Sequence, residues 1–374
     1  MPSNGRAKLN NPSSCWRSSQ PRWAAAIKLL KLRSADIRGV ASHGDCSNVW
    51  ATNRVIGPLP MEEPKAVATR YAQRRALWKA AIKWPMYSVA VMPVLLAAGW
   101  QLGFKGMLRW DQLFGFLLAA ILLLLWENLS NDLFDADTGV DAVGKPHSVV
   151  NLTGRRDRIA WLSSAALLLG LILMAWLAWC SHPAVFLLVL LCCGLGYLYQ
   201  GPPFRLGYQG LGEPLCWLAF GPVATSAALL VLAPAGSGEV PWTTALVLGA
   251  GPALATSLVL FCSHFHQVEE DAAHGKRSPV VRLGTARAAA LIPWFVGLTL
   301  TLEWLPVALG HWPPTVLLSG LGLPAGWTLM RLLKRHHDKP EQISGSKFLA
   351  LRFQGWNGLG LSVGLALARV WTGG

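Results

Sequence analysis

Charged residues are scarce in this chain. Asp, Glu, Lys and Arg make up 14% of its 374 residues, whereas a soluble domain carries roughly a quarter. The apolar residues, 53% of the total, stand in long runs of the length that crosses a lipid bilayer. The composition therefore excludes an ordinary soluble domain and predicts an all-α integral membrane protein.

Cysteine pairs with metal-binding spacing are absent from the sequence. Its seven cysteines show no C-x-x-C pattern, and five of them lie in or beside apolar runs. Cysteines in such places usually act as small hydrophobic side chains within helices. A zinc site or a disulfide framework built on these cysteines is therefore not expected.

Acidic residues are few, and the net charge is +14. Such an excess in a soluble domain would suggest nucleic acid, but here the basic residues lie in the N-terminal tail and between apolar runs. Membrane topology and anionic lipid head groups explain that distribution better. We therefore predict contact with membrane lipids and no nucleic-acid partner.

Residues 1–60 form a basic extension that we expect to be disordered. They contain nine Lys or Arg residues against only two acids, Asp36 and Asp45. An organelle transit peptide has such a composition. The alternative, which we favour slightly, is an upstream start artefact, with translation beginning at Met61. Removal of residues 1–60 should then leave activity intact.

A basic interfacial helix at 61–83 precedes a membrane domain predicted at 84–374. That domain contains about nine apolar segments of near-spanning length. They lie at approximately 84–103, 112–133, 159–179, 184–200, 211–233, 242–264, 288–309, 313–333 and 348–370. Lys and Arg concentrate in alternate loops, so the positive-inside rule predicts a cytoplasmic or stromal N-terminus and an external C-terminus.

The first candidate site is the carboxylate-rich end of the second span. The spacing of its polar residues places four of them on one side of a helix, namely Asn128, Asn131, Asp132 and Asp135. Asp141 follows them in the sequence. Ionisable groups at a membrane edge are costly and indicate a functional site. Because several carboxylates repel one another unless a cation lies among them, we predict Mg²⁺ together with a substrate diphosphate. Helix capping by solvated acids is the structural alternative.

Basic and aromatic residues follow on the same predicted face. Lys145 and Arg155 or Arg156 could neutralise phosphate oxygens, although they also suit a positive-inside loop. The next loop on that face, rich in Gly and Pro, contains Tyr197, Tyr199 and Arg205. These side chains could stabilise a leaving diphosphate or a carbocation. Aromatic anchoring at the membrane interface is the structural alternative for the loop.

A second acidic cluster ends the sixth predicted span. Glu270 and Asp271 stand three and four residues after Gln267, and Lys276 and Arg277 follow as candidate phosphate ligands. Two acidic clusters at one face suggest two metal positions that clamp one diphosphate. A transporter would place polar groups near the midplane instead, so a pocket that opens at one membrane face is expected.

With these motifs in view, the chain resembles the UbiA-type membrane prenyltransferases over roughly residues 80–370. The resemblance rests on Asn131-Asp132-x-x-Asp135 with a displaced acid at Asp141, on Gly196-Tyr-Leu-Tyr-x-Gly-Pro-Pro, and on Gly275-Lys-Arg-Ser. It implies nine transmembrane helices and two Asp-rich motifs that bind Mg²⁺ and a prenyl diphosphate. Gln267 departs from the family pattern, which has an Asp at that position.

The resemblance also implies roles for individual residues and a reaction. The implied catalytic residues are Asp132, Asp135, Lys145 and Arg205. The implied substrate-binding residues are Asn128, Tyr197, Tyr199, Arg155, Lys276 and Arg277. The implied metal ligands are Asn131, Asp132, Asp135, Asp141, Glu270 and Asp271. The motifs are most similar to those of enzymes that transfer phytyl from its diphosphate to 1,4-dihydroxy-2-naphthoate, with loss of CO₂, in phylloquinone synthesis.

Several alternatives remain open. A sister enzyme would use homogentisate or chlorophyllide as acceptor, and a menaquinone-type enzyme would use a longer prenyl chain. A membrane transporter is the alternative from another class. The resemblance further implies the plasma or thylakoid membrane of a cyanobacterium, or a plastid membrane.

Overall fold

The computed structural model describes residues 64–82, 84–139, 147–234 and 238–371. Within these ranges the chain is helical and contains no strand, which confirms the all-α prediction. The predicted extension at 1–60 and the predicted site residues Asp141 and Lys145 lie outside the described residues.

Ten long helices, numbered with the short ones in chain order, form the described part. They are α1 Pro64–Ile82, α2 Pro85–Lys105, α3 Trp110–Thr138, α5 Arg156–Cys180, α6 Ala184–Gln200, α7 Gly212–Leu232, α8 Trp242–Ser263, α11 Thr285–Ala308, α12 Pro314–His336 and α14 Ser346–Ala366. The short helices are α4 Val149–Thr153, α9 Val268–Ala273, α10 Pro279–Leu283, α13 Pro340–Ile343 and α15 Ala368–Trp371.

Seven helices of the described chain are long and apolar enough to cross a membrane, namely α2, α3, α5, α7, α8 with its extension to Ala273, α11 and α12. The chain is therefore a multi-pass membrane protein. Helices α6 and α14 occupy the other two predicted segments. Helix α6 is apolar but has only 17 residues, and α14 is not among the seven. The count of nine spans stays a prediction.

Helix packing depends on small residues where backbones approach closely. At Gly360 in α14, a Cβ would overlap the carbonyl oxygen of Leu318 in α12. Large side chains that are almost fully buried, such as Leu96, Leu248 and Phe353, fill the space between the other helices. Close packing of this kind holds membrane helices together, because lipid tails give no hydrophobic drive for association.

The polar end of α3 remains helical up to Thr138. Gly139 then adopts a left-handed conformation, with φ of 78°, which ends the helix without the steric cost that another residue would incur. Helix α8 ends at Ser263 and continues through one 3₁₀ turn into α9. The two acidic clusters therefore lie at the C-terminal ends of two membrane helices.

Candidate active site

Asp135, near the end of α3, is the centre of the first cluster. Only 2% of it is exposed, and its Oδ1 accepts hydrogen bonds from the amide of Gln200 and from the hydroxyl of Tyr208, the latter at 3.1 Å. The hydroxyl of Thr138 lies 2.8 Å from that of Tyr208. Both of these donors are neutral, and their hydrogen bonds orient the carboxyl group.

Asp132 has a different environment from Asp135. Its Oδ2 accepts a hydrogen bond of 3.0 Å from the backbone N–H of Val149, the first residue of α4. It is 1% exposed and does not line the cavity, whereas Asn128, Asn131 and Asp135 do. In the structure, Asp132 thus contacts the start of α4.

The second cluster is a chain of charged side chains around Asp271, which is fully buried. Its Oδ2 lies 3.3 Å from Nδ1 of His264, and its Oδ1 lies 3.4 Å from Nζ of Lys276. Nε2 of His264 lies 3.7 Å from Oε1 of Glu213 in α7. The backbone N–H of Lys276 also donates to the carbonyl oxygen of Asp271, at 2.8 Å. The cluster therefore contains both acids and potential cations.

Tyr208 joins the two clusters. Its hydroxyl contacts Asp135, while its ring centroid lies 5.7 Å from Nζ of Lys276 and 5.7 Å from Cζ of Arg205. Burial, and then the negative charge of Asp135, raise the pKa of the Tyr208 phenol well above its usual value. The hydroxyl therefore remains protonated at physiological pH and can donate to Asp135. A continuous set of contacts runs from Asp135 through Tyr208 and Lys276 to Asp271.

The loop that contains Tyr208 is held in place by Arg282 in α10. Its guanidinium donates to the carbonyl oxygens of Gln209, at 2.6 Å, and of Arg277, at 3.0 Å. The loop includes a 3₁₀ turn at Leu206–Gln209, and Arg205, the residue before it, adopts a left-handed conformation with φ of 43°. Such a conformation costs energy in a residue other than Gly and tends to occur at functional sites.

A cavity of about 310 Å³ lies among α2, α3, α6, α7 and α8. Its polar lining consists of Glu127, Asn128, Asn131, Asp135, His147, Tyr199, Gln200, Thr256, Ser263, His264, His266, Gln267, Lys276 and Lys347. The rest is mostly apolar, from side chains such as Val89, Phe116, Leu124 and Phe220. The cavity thus combines a polar region with an extended apolar chamber.

The predicted site residues separate into two groups. Asn128, Asn131, Asp135, Tyr199 and Lys276 line the cavity, together with Gln267 at the position where the family pattern has an acid. Asp271 contacts the lining residue Lys276. Arg205 contacts the ring of Tyr208, which lies outside the lining and itself contacts Asp135 and Lys276.

The other predicted residues lie away from the cavity lining. Tyr197 is 41% exposed, and its hydroxyl donates to the carbonyl oxygen of Pro202 at 2.7 Å. Arg155 and Arg277 are exposed, and Glu270 is half-buried outside the lining. Arg156, the alternative to Arg155, forms a surface ion pair of 2.7 Å with Asp137.

Sequence reasoning did not assign Gln200, Tyr208, Glu213 and His264 to the site. Gln200 and Tyr208 stand within or just after the aromatic Gly- and Pro-rich motif, so the sequence did indicate polar side chains in this region. It did not indicate which of the loop's aromatic residues face inward, because the loop has no regular period. His264 and Glu213 become site residues only through their contacts with each other and with Asp271.

The donor set of the two clusters suits a hard cation. Within the described ranges no three His, Cys, Asp or Glu side chains form a complete metal site. Asn131, Asp135 and Asp271 offer oxygen ligands, and Oδ1 of Asp271 receives no hydrogen bond from the described residues. Mg²⁺ typically uses a few carboxylates, with substrate phosphates and water completing its shell. The residues present therefore fit Mg²⁺ shared with a diphosphate.

Comparisons with known proteins identify relatives of this chain. The 2-carboxy-1,4-naphthoquinone phytyltransferase of Synechocystis sp. is 42% identical over 311 residues, which cover 82% of this chain and 97% of that protein. The chloroplastic protein of the same name from Arabidopsis thaliana is 37% identical over 337 residues, 88% of this chain and 82% of that protein.

Among solved structures, a UbiA homologue from Archaeoglobus fulgidus bound to DMAPP and Mg²⁺ covers 74% of this chain and 96% of its own, with a TM-score of 0.46 and 17% identity. Residues 90–353, well over half of the chain, match the UbiA prenyltransferase family. The chain belongs to the UbiA prenyltransferase family.

Proposed function

We propose that this prenyltransferase transfers a phytyl group from phytyl diphosphate to 1,4-dihydroxy-2-naphthoate, with loss of diphosphate and CO₂, in phylloquinone biosynthesis. The observation that carries the proposal is the contact path from Asp135 through Tyr208 and Lys276 to Asp271, beside an apolar cavity. A diphosphate needs the polar region and a long prenyl tail needs the apolar one. The two naphthoquinone phytyltransferases similar to this chain support the choice of substrates.

The polar region is proposed to bind the diphosphate. Asn131, Asp135 and Asp271 would hold Mg²⁺, which neutralises phosphate charge as the allylic C–O bond breaks. Lys276 and Arg205, both beside the Tyr208 ring, provide positive charge for phosphate oxygens. Because these groups are already positioned, little reorganisation is needed as negative charge develops on the leaving group.

The apolar chamber is proposed to hold the prenyl tail and to exclude water. An allylic cation is quenched by water, so a dry site protects it until the aromatic ring attacks. Apolar side chains from several helices, including Val89, Phe116 and Phe220, provide that surface. Attack by the carboxyl-bearing ring carbon, followed by loss of CO₂, restores the aromatic ring.

The redox state of the acceptor is part of the proposal. The similar proteins from Synechocystis and Arabidopsis are named for the 2-carboxy-1,4-naphthoquinone, whereas a mycobacterial relative is named for 1,4-dihydroxy-2-naphthoate. These compounds are the oxidised and reduced forms of one ring. Attack on an electrophilic allylic carbon requires an electron-rich ring, so we propose the dihydroxy form as the reacting species.

The chain is further proposed to lie in a cyanobacterial plasma or thylakoid membrane, or in a plastid membrane, with its N-terminus on the cytoplasmic or stromal side. The alternation of basic loops supports that orientation. This orientation is tested by introducing cysteines at exposed loop positions and labelling them from one side of sealed vesicles. Cysteines in the basic loops should all be labelled from the side on which the N-terminus lies.

Product analysis tests the proposed reaction directly. Purified protein is incubated with Mg²⁺ and a mixture of acceptors and prenyl donors. The acceptors are 1,4-dihydroxy-2-naphthoate under reducing conditions, its quinone, homogentisate and chlorophyllide. The donors are phytyl diphosphate and longer prenyl diphosphates. We expect mass spectrometry to find decarboxylated phytyl naphthoquinol as the main product, formed about 10²–10³-fold more slowly by the Asp135→Ala variant. A main product from homogentisate, chlorophyllide or a longer prenyl donor would replace this assignment with that of a sister enzyme.

A further inference from the structure

Glu127 is a carboxyl group within the membrane helix α3 that the proposed diphosphate site does not use. It lines the cavity together with Asn131 and Asp135, one and two helical turns away on the same side of α3. Eight residues of helix separate it from Asp135, a distance of about 12 Å along the axis. Glu127 therefore lies in the chamber at a distance from the diphosphate cluster.

The described residues around Glu127 leave space for its carboxyl group but provide no hydrogen-bond donor to it. Gly196 in α6 faces it, and a Cβ at that position would lie 2.5 Å from Oε2 of Glu127. Among the described residues, no hydrogen-bonding or charged partner of Glu127 is found. Without a partner, an ionisable group within the membrane is expensive.

A second carboxyl group in the membrane helices shows what a purely structural acid looks like here. Glu303 in α11 is 1% exposed and accepts a hydrogen bond of 2.7 Å from the amide of Asn357 in α14. The same amide contacts the carbonyl oxygen of Ser319 at 3.2 Å, and Glu303 does not line the cavity. Glu127 has the opposite arrangement, with cavity space in front of it and no hydrogen-bond donor in the part of the chain that the structure describes.

The substrates of the proposed reaction narrow what can satisfy Glu127. The prenyl tail carries no polar group, and the diphosphate is an anion that a carboxylate repels. Only the aromatic acceptor brings hydroxyl donors into an apolar chamber. Tyr199 and Asp135 line the same cavity as Glu127, so the carboxyl group opens onto the chamber that also contains the first cluster.

We propose that Glu127 binds a ring hydroxyl of the aromatic acceptor and takes its proton during prenyl transfer; this inference rests on the proposed function. As the ring carbon bonds to the allylic carbon, the allylic C–O bond breaks and its electron pair leaves with diphosphate. The O–H electron pair forms a ring carbonyl, and the proton passes to Glu127. When CO₂ leaves, its bonding pair returns to the ring and Glu127 returns the proton to that oxygen.

The test compares wild type with Glu127→Gln on three acceptors: the dihydroxynaphthoate and its two monomethyl ethers. Glu127→Gln should lower kcat on the diol about 10²-fold, the usual size of a general-base contribution, and leave KM for phytyl diphosphate unchanged. In wild type, the ether that blocks the bound hydroxyl should be the poor acceptor. In Glu127→Gln that ether should react no more slowly than the diol.

Two further variants make the result specific. Gly196→Ala keeps the carboxyl group but places a methyl group where Oε2 lies, so it should also lower kcat on the diol. Glu341→Gln alters an exposed acid in α13 and should leave every parameter unchanged. The thermal midpoint of each variant in detergent, with and without phytyl diphosphate, reports whether the fold is retained.

The outcomes separate this inference from the proposed function. Wild-type protein that transfers phytyl to none of the naphthoates overturns the proposed function. If wild type is active but Glu127→Gln keeps its kcat and KM for the diol, the role of Glu127 is overturned. An equal loss on the diol and both ethers also overturns it, because that pattern indicates a structural contribution.

Discussion

Asp135 and Asp271 are both buried acids at the ends of membrane helices, but their partners differ. Gln200 and Tyr208 donate to Asp135 as neutral groups, whereas Asp271 lies beside His264 and Lys276. The neutral donors orient the carboxyl group of Asp135. The ion pair between Asp271 and Lys276 is buried, so loss of the Asp271 charge would leave the Lys276 charge unpaired. We therefore expect the first cluster to be mainly functional and the second to be both functional and structural.

The largest effect should come from removal of divalent cations. Because both clusters are proposed to hold Mg²⁺ together with the diphosphate, excess chelator should abolish phytyl transfer, and added Mg²⁺ should restore it. The measurement is product formation by mass spectrometry, with thermal unfolding as a control for the fold. Full transfer at a chelator concentration that removes all free divalent cation would contradict the metal assignment.

Substitution of each acid separates the two clusters. Asp135→Ala and Asp271→Ala should both lower kcat by about 10²–10³-fold, the usual cost of removing one preorganised charge-stabilising group. Only Asp271→Ala should also destabilise the fold, by about 3–5 kcal/mol, because Lys276 loses its buried counter-charge. The free energy of unfolding in detergent, measured for both variants, checks this difference. Equal destabilisation would remove the distinction drawn between the clusters.

Lys276→Gln should have an intermediate effect. The side chain lies 3.4 Å from Asp271 and next to the Tyr208 ring, so its loss removes one proposed phosphate ligand and one partner of the second cluster. We expect transfer to slow by about 10- to 150-fold, since a hydrogen bond to a charged group contributes about 1.5–3 kcal/mol. Steady-state kinetics with varied phytyl diphosphate, against Lys339→Gln on the exposed surface, measures the change.

Tyr208→Phe should have the smallest effect. The ring between Arg205 and Lys276 is kept, while the hydroxyl bond to Asp135 is lost, a change of about 0.5–1.5 kcal/mol. Transfer should fall by less than about tenfold, and Tyr208→Leu, which also removes the ring, should be slower. If the two variants behave alike, the hydroxyl rather than the ring joins the clusters.

The membrane character and the first cluster could be predicted from the sequence because their signals are local. The apolar runs indicated the helices, and each predicted segment is occupied by one. The spacing of Asn128, Asn131 and Asp135 predicted one helix face, and these residues do share the cavity. Asp132 stands between them in sequence yet contacts Val149, 17 residues further along the chain, a contact that helical periodicity does not encode.

What only the tertiary structure decided is how the two clusters join. Tyr208, Gln200, His264 and Glu213 enter the site through contacts between segments far apart in the chain, up to 73 residues for Asp135 and Tyr208. The role proposed for Glu127 likewise depends on Gly196 in another helix. A helix fixes its own side chains at 3.6 residues per turn, so sequence determines which residues share a face. Packing between helices determines what that face meets.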